Sequence, residues 1–81
     1  MNSPERLNLT ITCLVADECT VYFEPYGSYF RLTSDEVFRV TTEGPRSGEV
    51  EVSYRPDGIV IGLYTVASVR VVDGRGNELG I

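Results

Sequence analysis

The chain has no His, no Trp, no Lys and no Gln, and only two Ala, two Cys and one Met among its 81 residues. Without His it lacks the usual general base and the commonest metal ligand, and two Cys are too few for a Cys-only zinc site. Hydrolase triads and cupin-type metal centres are therefore excluded, and neither a bound metal nor a cofactor is expected. All seven cationic residues are Arg, against twelve Asp and Glu, for a net charge of -5. A phosphate backbone needs a clustered basic surface, so direct nucleic-acid binding is not expected either. Long apolar runs are also missing. The longest uncharged stretch, residues 58–69, has a purely apolar part only at 59–63, which Gly62 interrupts. A bilayer needs about 20 apolar residues in succession, so no span is expected. The N-terminal Met-Asn-Ser-Pro-Glu-Arg has no apolar segment of the kind a secretory signal carries, which points to a cytoplasmic protein.

What is abundant favours strands. Eleven Val, seven Thr, four Ile, five Tyr and three Phe fit a pleated surface better than a helix. Residues 1–6 read as a flexible arm, and residues 7–81 as a single β domain. From Leu7 the odd positions Leu7, Leu9, Ile11 and Cys13 are apolar and alternate with Asn8, Thr10 and Thr12. After a loop centred on Ala16, Cys19, Val21 and Phe23 turn inward while Thr20, Tyr22 and Glu24 turn outward. Pro25-Tyr26-Gly27-Ser28 supplies a turn that pairs Glu24 with Tyr29, Phe23 with Phe30 and Val21 with Leu32. A reversal at Ser34-Asp35-Glu36 then sets Leu32 opposite Phe38 and Phe30 opposite Val40. These hairpins predict one sheet in chain order, with Thr10, Tyr22, Arg31 and Arg39 in a row on its outer face.

The loop at residues 43–48 opens a second group. Val50, Val52 and Tyr54 read as an inward set, and Arg55-Pro56-Asp57-Gly58 fits a type I turn that brings Ile59, Ile61 and Leu63 opposite them. Gly62 in mid-strand predicts a bulge or a close backbone approach. Val69 and Val71 begin a further strand that turns at Gly74-Arg75-Gly76, so that Leu79 and Ile81 face them and the last residue lies in the sheet. Seven to eight short strands in two groups predict an all-β domain, a small antiparallel β-sandwich or flattened barrel. Its core is small, and a homo-oligomer that covers an exposed edge strand would add to it.

The stretch Val21-Tyr22-Phe23-Glu24-Pro25-Tyr26-Gly27-Ser28-Tyr29-Phe30-Arg31-Leu32, followed by Asp35-Glu36-Val37-Phe38-Arg39-Val40, resembles a group of small uncharacterised bacterial all-β proteins. In these a strand ends in Glu-Pro-Trp-Gly or a close variant, then come an aromatic-x-Leu strand, a turn often carrying Pro-Gly, and an x-Val strand. Tyr26 stands where that pattern has Trp, and Thr33-Ser34-Asp35 replaces the Pro-Gly turn. The likeness covers about a quarter of the chain and implies a β hairpin without implying an activity. A similar hairpin occurs in cupins, whose chemistry rests on His and Glu ligands; with no His, that likeness ends at the backbone.

The chain offers few candidates for chemistry. Cys13 and Cys19 fall opposite each other across the Ala16 loop, near the geometry of a disulfide, but a reducing cytoplasm favours two buried thiols. Neighbouring acids at Asp17-Glu18, Asp35-Glu36 and Glu49/Glu51 lie in turns or on a polar face, where nothing encloses them and raises a pKa for acid-base work. The turn at residues 73–78 carries oxygen ligands without the spacing of a calcium loop. Tyr22, Tyr29, Arg31 and Arg39 have the composition of an interface hot spot. The expectation is therefore a non-enzymatic protein-protein interaction module: an acidic inhibitor, immunity or antitoxin-like protein with an as yet unspecified protein partner. The alternative is a small-ligand or carbohydrate-binding domain that uses exposed tyrosines as a platform.

Overall fold

The computed structural model describes residues 5–14, 17–44 and 50–81. Within them the chain forms eight strands and no helix: β1 (Glu5–Ile11), β2 (Glu18–Glu24), β3 (Ser28–Thr33), β4 (Phe38–Gly44), β5 (Glu51–Arg55), β6 (Gly58–Gly62), β7 (Ser68–Asp73) and β8 (Glu78–Leu79). They make two four-stranded sheets that face each other as a β-sandwich. Sheet A has the order β1-β4-β7-β8, and sheet B the order β3-β2-β6-β5. Among the described residues no helix is long and apolar enough to cross a membrane. β1 takes in Glu5 and Arg6, the last two positions of the expected arm, and residues 1–4 lie outside the described residues.

The alternation of side chains predicts which face each strand buries. Val21, Phe23 and Leu32 of sheet B and Phe38, Val40 and Val71 of sheet A are all within 3 % of full burial. The three Phe rings link the layers: Phe23 meets Phe30 edge-on at 6.1 Å between centroids, and Phe30 meets Phe38 across the sandwich at 6.5 Å. Such edge-to-face pairs add to the burial itself.

Adjacency differs from the hairpin reading. β1 pairs with β4, not β2; β1 and β2 are divided between the two sheets, as are β3 and β4, so successive strands there lie in different layers. A crossing connection and a hairpin both keep apolar residues inward, so alternation cannot distinguish them. β2 and β6 pair in parallel, Val21 beside Ile59 and Phe23 beside Ile61, which corrects the all-antiparallel expectation. The β2–β3 hairpin turns about Pro25 and Tyr26, one residue earlier than expected. Phe23 therefore pairs with Ser28, Val21 with Phe30, and Cys19 with Leu32. The Gly27 N–H donates to the Phe23 carbonyl at 3.1 Å, and Gly27 has φ of +76°, a conformation glycine adopts without steric cost. The two-residue shift leaves every side chain on its expected face.

The hairpins β5–β6 and β7–β8 do follow the sequence reading, with Tyr54 opposite Ile59, Val52 opposite Ile61, and Val71 opposite Leu79. Ile81 lies beyond β8, outside the sheet, yet packs on the core. Tyr54 departs from expectation: it shares the inward parity of β5, but β5 is an edge strand and the ring is 81 % exposed.

Two connections are tied by carboxylates. The Thr33 hydroxyl lies 2.7 Å from Asp35 and 2.6 Å from Glu36, and its one proton serves either. Asp73 Oδ1 accepts from the backbone N–H of Arg75 and of Asn77, both at 2.9 Å. The Thr33 hydroxyl holds Asp35 below the ordinary carboxylate value, and the Asn77 N–H does the same for Asp73. The unfolded chain therefore binds more protons between the lowered and the ordinary values, so stability rises with pH there. These two turns should contribute in full above the ordinary carboxylate value of 3.8 and lose their contribution as pH falls through the lowered values. Denaturant midpoints measured down the acid limb should drop less steeply for Asp73→Asn than for the parent chain. Equal slopes would show that the Asp73 charge has no part in the turn.

Candidate functional site

The period-2 alternation that buries one face of sheet B displays the other. Register places Tyr29, Tyr22, Val60 and Ser53 in one row across β3, β2, β6 and β5, and Arg31, Thr20, Gly58 and Arg55 in the next. Tyr22 and Tyr29 are direct cross-strand partners with ring centroids 5.9 Å apart. The Arg55 guanidinium sits over the Tyr22 ring at 4.3 Å, and the Tyr22 hydroxyl donates to Asp57 Oδ2 at 2.5 Å. That hydrogen bond to a carboxylate raises the Tyr22 phenol above its ordinary pKa.

Tyr22 is thus held on three sides and ties β2 to the β5–β6 turn. Tyr29 is 67 % exposed and leans on it with most of its ring free. Arg31 lies one row away, with its side chain 76 % exposed and 3.6 Å from Glu18. The acid beside Arg31 is Glu18, and an exposed pair of this length contributes little to stability.

The structure keeps three of the four expected site residues together. Arg39 pairs with Thr10 and Val72 in sheet A and points from the opposite outer face, so the expected row Thr10-Tyr22-Arg31-Arg39 does not form. β3 and β4 lie in different sheets, so Arg31 and Arg39 point from opposite outer faces and do not stand side by side. In their place the structure brings up Arg55, Asp57 and Tyr64. Arg55 and Asp57 flank Pro56 at the β5–β6 turn, a position that signals a turn and gives no hint of the ring it meets. Tyr64 covers Gly62: a Cβ built there would stand 2.6 Å from the ring, so the close neighbour is a side chain, and Gly62 ends β6 in regular register instead of forming the bulge or backbone approach expected in mid-strand.

Cys13 and Cys19 are not joined by a disulfide; Cys13 is buried and Cys19 half-buried. Burial, followed by a hydrogen bond with Cys13, pushes the Cys19 thiol up to about 11. The thiolate is the reactive form, so Cys19 is a poor nucleophile at neutral pH. Asp17, Glu18, Asp35 and Glu36 are exposed, and Glu49 lies outside the described residues. Among the described residues no three of His, Cys, Asp and Glu cluster in a way that could hold a metal ion. A cleft of about 410 Å³ is lined by Arg31, Thr20 and Arg55 together with Tyr54, Cys13 and Leu14.

Comparisons with protein-family models, with curated proteins and with solved structures return no match to this chain.

Proposed function

We propose that this chain is a non-enzymatic protein-binding module whose contact surface is the outer face of sheet B, centred on Tyr29 and Arg31. The observation that carries the reading is the contrast within the tyrosine pair. Tyr22 is immobilised by Asp57 and Arg55, and it presents Tyr29 as an exposed ring on a rigid strand. An aromatic ring already ordered before binding gives contact area at low entropic cost, and Tyr and Arg are the residue types that anchor protein interfaces. Arg31 offers its donors to a carboxylate or carbonyl of the partner once it leaves Glu18. The net charge of -5 favours a partner that is basic elsewhere, as for an inhibitor, immunity protein or antitoxin that covers a nucleic-acid-binding surface. A cytoplasmic setting fits two cysteines that form no disulfide.

The test is capture of partners from the native host with the parent chain and with Tyr29→Ala combined with Arg31→Ala. Both side chains are mostly solvent-exposed, so the double variant should melt within about 0.5 kcal/mol of the parent. It should lose the captured partner, whereas Arg39→Ala, on the opposite face, should retain it. Retention by the double variant would overturn the reading. Binding to a glycan array that is lost with Tyr29→Ala, without any protein captured, would favour the carbohydrate platform instead.

A further inference from the structure

An edge strand offers a row of unpaired backbone groups, and proteins usually blunt such edges with short strands, Pro, Lys or bulges. At the open end of sheet A, β8 is only two residues long. β5, at the end of sheet B, has none of these protections. It runs for five residues in unbroken register with β6, without Pro, Lys or a bulge, and shows Val52 half exposed and Tyr54 81 % exposed.

Its sequence, Glu51-Val52-Ser53-Tyr54-Arg55, is complementary to itself when reversed about Ser53. Two such strands laid antiparallel about a two-fold axis at Ser53 set Glu51 of each copy opposite Arg55 of the other. They also set Val52 opposite Tyr54. The opposite charges meet on the outer face and the apolar pair on the inner face, so the parity of both sheets is kept. Cross-strand pairs of these kinds are the ones that stabilise antiparallel ladders. Neither of the other long edges has this property. β1 carries Glu5 and Arg6 side by side at one end, so reversal brings them against apolar and uncharged residues, and the only charge on β3 is Arg31.

We propose that β5 is a homodimerisation edge, at which a second copy of this chain adds its own β5 antiparallel and joins the two B sheets into one continuous sheet. The interface is isologous, so every contact occurs twice. Glu51 and Arg55 are both exposed. Among the described residues Glu51 meets the Ser53 hydroxyl at 3.5 Å, and Arg55, over the Tyr22 ring and 4.0 Å from Asp57, keeps its side chain 52 % exposed. Tyr29 and Arg31 sit on β3, at the far edge of the same sheet, so a partner bound there and a second copy bound at β5 do not compete.

Sedimentation equilibrium at rising concentration, up to about 1 mM, tests the proposal. The parent chain should approach twice the monomer mass. Glu51→Arg and Arg55→Glu should each weaken the dimer at least about tenfold, because both cross-strand pairs become like-charged. An equimolar mixture of the two variants should associate as tightly as the parent, since each supplies the charge the other lacks. Tyr54→Asp, which leaves Glu51 and Arg55 untouched, should also weaken the dimer. Far-ultraviolet circular dichroism confirms that each variant is folded. A parent chain monomeric throughout, or a dimer indifferent to both charge reversals, would overturn the proposal. Loss of the dimer with intact partner capture, or the reverse, read with Glu51→Arg and Tyr54→Asp, which leave the contact of Arg55 with Tyr22 in place, separates this inference from the binding face on β3.

Discussion

Gly58→Ala is expected to leave little or no folded protein at 25 °C. Gly58 closes the β5–β6 hairpin, and its sequence context, Arg55-Pro56-Asp57-Gly58, explains a glycine there by turn chemistry alone. The structure gives a stronger reason. Gly58 does not have a positive φ, a conformation confined to Gly27 and Gly76 among the described residues. What it requires is space. β2 runs parallel to β6 with Thr20 beside Gly58, and the Thr20 N–H donates to the Asp57 carbonyl at 3.0 Å. A Cβ on Gly58 would stand 2.7 Å from the Thr20 carbonyl carbon and 2.8 Å from its nitrogen, with the carbonyl oxygen nearer still.

These are backbone atoms of the central strand β2 and cannot rotate out of the way. Relief requires β2 and β6 to separate, which breaks the one ladder that joins the β2–β3 hairpin to the β5–β6 hairpin. A domain of this length holds about 4 to 12 kcal/mol of stability, at 0.05–0.15 kcal/mol per residue. Loss of a central ladder consumes most of that. Amide dispersion in an NMR spectrum should collapse for Gly58→Ala and persist for Gly80→Ala, where an added Cβ meets nothing within 4 Å. A well-dispersed spectrum for Gly58→Ala would show that the parallel β2–β6 pairing is wrong.

Phe23→Ala should cost about 3 to 5 kcal/mol, the usual penalty for emptying a fully buried aromatic site. Phe23 is completely buried on β2, beside Ile61 of β6, and its ring abuts Phe30, which in turn meets Phe38 of the other sheet. The cavity would open at the middle of sheet B, where rigid strands on both sides limit collapse. Urea titration gives the measurement, with Tyr54→Ala as the contrast. Both rings have inward parity, but Tyr54 overhangs an open edge at 81 % exposure and should change stability by less than about 1 kcal/mol. Equal losses for the two variants would mean that β5 is covered or that Phe23 is not in the core.

The candidate site was legible in part for the same reason as the core. Placing Tyr22, Tyr29 and Arg31 on one outer face needs only the alternation of β2 and β3 and their shared hairpin, and all three survive a two-residue error in its register. Arg39 required β3 and β4 to be neighbours, an inference about long-range pairing, and it fails. Arg55 and Asp57 reach Tyr22 from a hairpin more than thirty residues further along the chain. No local pattern announces such a contact, because it follows from β6 being inserted beside β2.

By itself the sequence determined the all-β class, the buried and exposed face of almost every strand, and the hairpins at Pro56-Asp57 and at Gly74-Arg75-Gly76. Those features are local: a side chain's face repeats every two residues, and a turn is set by the φ values its own residues tolerate. The tertiary structure alone decided which strand lies beside which, the parallel β2–β6 pairing, the separation of Arg31 from Arg39, and the exposure of Tyr54. Backbone hydrogen bonds are the same for any pair of strands, so adjacency is chosen by how two apolar faces close over one another, and that closure is a property of the whole chain.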